Sequence, residues 1–124
     1  IEAGQKLEIE QHQVFKTIVL ETEQKKLVVA IVPVDNQVNL KKLAKACKVK
    51  KVVMADKIKV QASTGYILGG VSPLGQKKQL PTFINKSALD QQKIYVSAGR
   101  RGLEVSLAAN DLSQLLQANF CDLV

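Results

Sequence analysis

Two segments near the start of the chain have the hydrophobic pattern of buried β-strands. Residues 13–22 and 26–34 carry mostly apolar and β-branched side chains, and these fall on both faces of each segment. A strand that is apolar on both faces is typical of the middle of a sheet covered on each side. The short polar connection at residues 21–25 predicts that the two strands form a hairpin.

A helix is predicted directly after Asn39, whose side chain is suited to cap the helix N-terminus. Apolar residues follow it at the i, i+3, i+4, i+7 spacing of one buried stripe, namely Leu40, Leu43, Ala44 and Cys47. We therefore expect Cys47 in the core.

Shorter elements complete the predicted order. Helical segments are predicted over residues 1–10, over 57–62 with Asp56 as the N-cap, and over 112–117 with Asn110 or Asp111 as the N-cap. Strands are predicted over residues 50–54, 80–84, 93–97 and 103–107, and residues 120–124 close the chain. Helices separate some strands and hairpins join others, which favours a mixed α+β sheet over a doubly wound parallel one. A chain of 124 residues suits a single domain over residues 1–124.

Charge is distributed unevenly along the chain, whose net charge is +7. Residues 36–101 contain fourteen of the eighteen Lys and Arg residues but only two of the eleven acidic residues. This basic segment is either a binding surface for a polyanion or a lysine-rich surface that keeps the protein soluble. Because no apolar run reaches membrane-span length and no secretory signal opens the chain, we expect a cytoplasmic location.

The sequence offers no pattern for metal binding or for a protein nucleophile. Cys47 and Cys121 are the only cysteines, and His12 is the only histidine. Their spacing matches neither a zinc site nor a Cys–His pair, and no histidine lies near Ser97 to form a Ser-His-Asp triad. We therefore expect no metal and no cofactor.

Residues 64–75 form a glycine-rich segment that contains Gly65, Gly69, Gly70 and Gly75. The segment differs from a phosphate-binding P-loop because its lysine arrives one position late, no Ser or Thr follows the lysine, and a strand comes next. Nucleoside triphosphate hydrolysis is therefore excluded. Such a segment can direct several backbone N–H groups at one oxygen, as an oxyanion hole does, or can serve as a tight structural turn.

Two strands carry further polar residues of interest. Lys16 interrupts an apolar strand, where burial of an ammonium group is costly without a partner. It either faces an anion or a polarised oxygen, or extends its charged end to solvent. Ser97 is followed by Gly99, Arg100 and Arg101 at the end of a strand. This group either binds a phosphate or carbonyl oxygen or forms a solvated turn.

Three segments taken together resemble the YbaK type of prolyl-tRNA editing domain. They are residues 15–17, 63–78 and 94–103, and residues 39–42 and 54–56 also match its pattern in the same order. The resemblance covers nearly the whole chain. It implies an α+β fold with a mixed, barrel-like β-sheet and flanking helices. It also implies an aminoacyl-tRNA deacylase that clears cysteine from mischarged Cys-tRNA(Pro), with prolyl-tRNA synthetase as a further partner in a ternary complex.

The resemblance also implies which residues form the site. The catalytic positions correspond to Lys16, Gly69 and Ser97. The substrate-binding positions that we assign around them are Phe15, Thr17, Gly70, Ser72, Pro73 and Arg101. In the implied reaction the substrate's own thiol attacks its ester carbonyl and releases a cyclic thiolactone. The protein then supplies orientation and electrostatic stabilisation.

The sequence departs from the family pattern in two respects. Family members usually begin with a further helix-and-strand segment of roughly thirty residues, the size of a supersecondary unit. This sequence starts after that segment, which is either lacking in this variant, disordered or excluded. Ala98 also stands where a glycine is common. Two alternatives stay open: an editing deacylase with another specificity, such as Ala-tRNA(Pro), and a non-catalytic module that binds tRNA or a synthetase.

Overall fold

The fold is taken from a computed structural model that describes residues 11–66, 70–100 and 102–124. The helix predicted over residues 1–10 lies outside the described residues. The first described element is a short 3₁₀ turn, Gln11–Gln13, which leads into the larger of two sheets.

The larger sheet contains five strands. Their bounds are β1 Phe15–Thr22, β2 Leu27–Pro33, β3 Val52–Met54, β4 Thr82–Asn85 and β7 Asn119–Cys121. They are arranged in the order β3-β1-β2-β4-β7. The strand β1 is antiparallel to β2 and β3, whereas β4 is parallel to both β2 and β7. The predicted hairpin of β1 and β2 is therefore confirmed, and so is the mixed sheet.

The remaining two strands form a separate antiparallel ribbon. They are β5, Ile94–Arg100, and β6, Leu103–Leu107. An isolated parallel bridge between Val14 and Tyr95 joins this ribbon to the start of β1. Closure into a barrel needs a continuous ladder of strand pairs. Over the residues that the structure describes, neither sheet closes, so the barrel-like part of the prediction is wrong.

Three α-helices lie in the described ranges: α1 Leu40–Cys47, α2 Lys57–Thr64 and α3 Ala109–Leu116. Asn39 and Asp56 each accept a hydrogen bond from a backbone N–H three residues later, at 3.0 Å, which confirms both N-caps. The predicted cap of α3 is wrong. Because the helix starts at Ala109, Asn110 and Asp111 lie in its first turn. None of these described helices is long and apolar enough to cross a membrane.

The alternation of side chains along β1 and β2 divides the core into two clusters, one on each face of the larger sheet. One cluster joins Phe15 and Val19 of β1 to residues of α2, β5 and α3. The other joins Leu20 to Leu43 of α1 and to the C-terminal residues. The two strands are thus covered on both faces, as predicted.

The buried stripe of α1 is narrower than predicted. Leu43 and Ala44 are buried, but Leu40 is 40% exposed and Cys47 is half-buried. Leu40 and Cys47 are the first and last residues of this eight-residue helix. The residues that pack into the core cluster on this face of the sheet are those in the middle of the helix, Leu43 and Ala44.

Candidate active site

A cavity of about 340 Å³ opens beside the first half of β1. The strand β3 pairs only with Leu20–Thr22, so over the described residues the earlier part of β1 has no strand ladder along this edge. The β5–β6 ribbon, α2 and the residues after β2 and β3 enclose the space that remains. The polar residues that line it are Lys16, Thr17, Ser97, Arg100 and Glu104.

Lys16 lies in this cavity wall, half-buried, opposite Val32 of β2. Its ammonium group forms no ion pair or hydrogen bond with any residue that the structure describes. An ammonium group that lies beside a cavity and lacks a protein partner is suited to bind an anion or a polarised oxygen. Of the two interpretations offered by the sequence, this placement favours the one in which Lys16 faces a ligand.

Thr17 also lines the cavity, and its hydroxyl lacks a partner. The Oγ1 atom is buried and forms no hydrogen bond to the described residues. An unsatisfied buried hydroxyl costs about 1–3 kcal/mol. Because the Oγ1 atom is enclosed, a ligand in the cavity hydrogen-bonds to it only after the side chain rotates about χ1, and such a bond removes the penalty. Phe15, which is almost fully buried, supplies an apolar wall beside it.

Ser97 reaches the cavity from β5, where the strand contains an irregularity. Its Oγ accepts a hydrogen bond from the backbone N–H of Gly99 at 3.2 Å, which leaves the hydroxyl proton free to donate. The pairing of β5 with β6 shifts between Ser97 and Arg100, as at a β-bulge, a feature that commonly redirects side chains beside active sites.

The irregularity requires glycine at position 99. Gly99 has φ +100°, and a Cβ there would lie 2.7 Å from Cε1 of Tyr66. The hydroxyl of Tyr66 donates to the carbonyl oxygen of Leu74 at 2.5 Å. Tyr66 therefore packs between the ribbon and the glycine-rich segment, and it does not line the cavity.

The described part of the glycine-rich segment supports the cavity from behind. Val71 lines the cavity, whereas Gly70, Ser72 and Pro73 are buried and do not line it. The Ser72 hydroxyl accepts a hydrogen bond from the backbone N–H of Leu74 at 3.1 Å. Gly69 and Arg101, also predicted as site residues, lie outside the described residues. The structure thus brings Phe15, Lys16, Thr17 and Ser97 together.

Arg100 and Glu104 also line the cavity. The sequence singled out Arg100 as part of a group that either binds a phosphate or carbonyl oxygen or forms a solvated turn, whereas Glu104 was not selected. The register of the ribbon places Glu104 opposite Ser97. Pairing the two predicted strands across the glycine-containing turn would have revealed this position. Among the residues that the structure describes, the cavity is lined by one carboxylate and by two cations, Lys16 and Arg100.

The two cysteines do not line this cavity, and both are free thiols. Burial raises the pKa of the Cys47 and Cys121 thiols. A raised pKa disfavours the thiolate, which is the nucleophilic form. In the described ranges, no group of three or more His, Cys, Asp or Glu side chains is placed to hold a metal ion.

Comparison with known proteins places the fold and the cavity in a class. The profile of the aminoacyl-tRNA editing domain matches residues 1–115, and the chain therefore belongs to this family. It is 41% identical over 120 residues to an Enterococcus faecalis protein named "Putative Cys-tRNA(Pro)/Cys-tRNA(Cys) deacylase EbsC". That match covers 97% of this chain and 73% of the relative. The resemblance found in the sequence is confirmed.

Solved structures support the fold. A crystal structure described as "a putative trans-editing enzyme for prolyl tRNA synthetase" has a TM-score of 0.88 at 24% identity, covering 98% of this chain and 76% of that one. The structure of hypothetical protein APE2540 has a TM-score of 0.87 at 21% identity, covering 98% and 81% respectively. Identities this low establish the shared α+β fold alone.

Proposed function

We propose that this protein is an aminoacyl-tRNA deacylase that releases cysteine from mischarged Cys-tRNA(Pro). The observation that carries the proposal is the convergence of Lys16, Thr17 and Ser97 on one cavity, in a chain that belongs to the aminoacyl-tRNA editing domain family. The relative at 41% identity, whose name includes Cys-tRNA(Pro), supports the choice of substrate.

Three of the polar groups that line the cavity have roles that follow from their chemistry. The Thr17 hydroxyl, which lacks a protein partner among the described residues, rotates toward the substrate and hydrogen-bonds to it. The Lys16 ammonium group binds a phosphate or ribose oxygen of the terminal adenosine, because it is a cation without a protein partner. The Ser97 hydroxyl donates to the aminoacyl group, since its acceptor side is occupied by Gly99. Gly69, which the family resemblance implies as a catalytic position, holds the ester carbonyl oxygen through its backbone N–H group. A volume of about 340 Å³ suits a small aminoacyl group.

The proposed reaction takes its nucleophile from the substrate. The cysteine sulfur forms a bond to the ester carbonyl carbon, the bond from that carbon to the ribose oxygen breaks, and the thiol proton passes to the ribose oxygen. The products are a cyclic thiolactone and the free 3′ end of the tRNA. This chemistry fits a cavity whose described lining contains neither cysteine nor histidine. The protein contributes orientation and stabilisation of the developing oxyanion.

The experiment that tests this proposal measures amino acid release from tRNA(Pro) charged separately with labelled cysteine, alanine or serine. Cysteine release is expected to be fastest, and the serine ester should react poorly because a hydroxyl is a weaker nucleophile than a thiol. Fast alanine release would show a deacylase of another specificity. Tight tRNA binding without any release would instead identify a non-catalytic module.

We also propose that this protein, prolyl-tRNA synthetase and the mischarged tRNA form a ternary complex in the cytoplasm, in which the tRNA passes from the synthetase to this protein. The synthetase would then charge the released tRNA(Pro) with proline. Stimulation of cysteine release by the synthetase, at a fixed concentration of Cys-tRNA(Pro), tests this partner. Unchanged release in its presence would contradict the ternary complex.

A further inference from the structure

A second cleft, here termed the basic cleft, lies between the β1–β2 turn and α2. Its volume is about 400 Å³. Lysines from three separate segments line it: Lys25 and Lys26 from the turn, Lys59 from α2, and Lys78 from the segment before β4. Ser63 lies in the same lining.

The charge of the basic cleft is largely uncompensated. Its one acidic lining residue, Glu21, is 8% exposed and is ion-paired with Lys59 at 2.5 Å. The hydrogen bond to Glu21 raises the pKa of Lys59. The ammonium groups of the other three lysines form no ion pair with any residue that the structure describes. Three such cations around one cleft repel one another unless an anion lies between them.

The backbone holds these lysines in place. The Thr22 hydroxyl accepts from the backbone N–H of Lys26 at 3.3 Å, and the N–H of Lys25 donates to the Thr22 carbonyl at 2.9 Å. Lys78 is held by a backbone hydrogen bond to Ser63 at 3.1 Å. Lys25 has φ +65°, a conformation that costs a side-chain-bearing residue about 1–2 kcal/mol and favours glycine or asparagine.

The basic cleft adjoins the candidate active site through two shared elements. Residues 14–19 of the chain line the active site, whereas Glu21 lines the basic cleft. On α2, Val60 lines the candidate active site and Lys59 lines the basic cleft. From Lys16 to Glu21 the strand advances roughly 17 Å at about 3.3 Å per residue. A few nucleotides of single-stranded RNA can span such a distance.

We propose that the basic cleft binds a backbone phosphate of the single-stranded 3′ end of the tRNA while the aminoacyl ester occupies the candidate active site. The inference rests on the proposed function, which supplies a substrate with phosphates on one side of the ester. Lysine side chains bind phosphate as point charges, and the Ser63 hydroxyl adds a donor.

The test compares two triple variants that lose the same charge. The cleft variant is K25Q/K26Q/K78Q, and the control variant is K41Q/K45Q/K93Q, whose positions line neither cavity. Binding of uncharged tRNA(Pro) is measured over a range of salt concentrations. The cleft variant is expected to bind tRNA about tenfold more weakly. The slope of the logarithm of its binding constant against the logarithm of the salt concentration should become less negative by roughly 0.7 for each lost phosphate contact. The control variant should change about twofold at most, as expected for a general loss of charge.

Deacylation gives an independent measurement. The cleft variant should release cysteine slowly from Cys-tRNA(Pro) at low substrate concentration, but should match the wild type on cysteinyl-adenosine, which has no upstream phosphate. The double variant K26Q/K78Q, which leaves the Lys25 turn unaltered, should show a smaller loss of the same kind. Thermal melting of each variant establishes that it folds.

Three outcomes would overturn the proposal. One is equal weakening of tRNA binding in the cleft and control variants. A second is loss of inorganic phosphate binding in the cleft variant with tRNA binding intact, which would identify a site for free phosphate. The third is a loss of activity of the cleft variant on cysteinyl-adenosine that is as large as its loss on Cys-tRNA(Pro). If the wild type deacylates no charged tRNA, the proposed function fails, and the binding of uncharged tRNA still decides the role of the cleft.

Discussion

Replacing Thr17 with valine should make the protein more stable and the enzyme less active. The Thr17 hydroxyl is buried at the cavity wall without a hydrogen-bond partner in the described structure. Valine keeps the branched shape that suits a strand and removes only the polar group. The two effects have opposite signs because the hydroxyl is unsatisfied in the free protein and, by our proposal, is satisfied by the substrate.

The magnitudes follow from the hydrogen-bond balance. Burying a hydroxyl without a partner costs about 1–3 kcal/mol, so Thr17→Val should raise the free energy of unfolding by about 1–2 kcal/mol. For a chain of this size, that corresponds to a rise in Tm of roughly 4–8 °C. The hydrogen bond to substrate is worth about 0.5–1.5 kcal/mol, so kcat/KM should fall by roughly two- to tenfold.

A matched control is provided by Thr82 in β4. Its hydroxyl is also buried but donates to the carbonyl oxygen of Leu80 at 2.9 Å, and it lies outside the cavity. Thr82→Val should therefore lower stability by about 1 kcal/mol and leave kcat/KM unchanged. Urea unfolding and Cys-tRNA(Pro) deacylation measure both quantities for both variants. Destabilisation by Thr17→Val comparable to that of the control, or undiminished activity, would refute this reasoning.

Two further substitutions test the site geometry and an ion pair. Gly99→Ala should lower the free energy of unfolding in urea by about 2–3 kcal/mol and slow deacylation, because the added Cβ would meet Tyr66 and the residue has a positive φ. Gly102→Ala should lower it by only about 1 kcal/mol, because Gly102 has φ +83° but open space around it. Equal losses in the two variants would contradict this reasoning. The hydrogen bond from Lys42 holds the pKa of Asp122 below its usual range. The ion pair between Lys42 and Asp122 therefore stabilises the folded protein above the unfolded pKa of about 4, and this contribution is lost as the pH falls through the folded pKa of Asp122. Asp122→Asn should make the free energy of unfolding depend less on pH in the acid range. An unchanged pH dependence would count against this ion pair.

The local features of the fold could be predicted from the sequence. The β1–β2 hairpin and the caps Asn39 and Asp56 depend on residues only a few positions apart, and all three are confirmed. The start of α3 was placed too late because Asn110 and Asp111 are good capping residues in general. In this chain the helix begins directly after Ala108, which provides no side-chain cap.

Features that depend on distant pairing could not be predicted in the same way. The cavity exists because β3 covers only the end of β1 while the ribbon meets its start at a single bridge. Neither contact leaves a local signal in the sequence. The family resemblance singled out Lys16 and Ser97, which the structure places in one cavity, but the position of Glu104 in that cavity required the strand register.

The glycine-rich segment shows a different limit. Its composition allowed either a set of backbone donors directed at a ligand or a tight structural turn, and the described residues Gly70, Ser72 and Pro73 are buried and do not line the cavity. Composition reports which backbone conformations are available and does not report which side of the loop faces the ligand. Within the described residues, Tyr66 contacts this segment through its hydroxyl, which donates a hydrogen bond to the carbonyl oxygen of Leu74.

The most direct test of the central claim is the single-turnover rate of cysteine release from Cys-tRNA(Pro) by the wild type, Lys16→Ala and Lys93→Ala. Lys93 is an exposed lysine outside the cavity, so its variant controls for lost charge. A hydrogen bond from a charged group is worth about 1.5–3 kcal/mol, so Lys16→Ala should slow release roughly 10- to 100-fold, while Lys93→Ala should match the wild type. Equal rates for all three proteins would contradict a deacylase site at the open edge of β1.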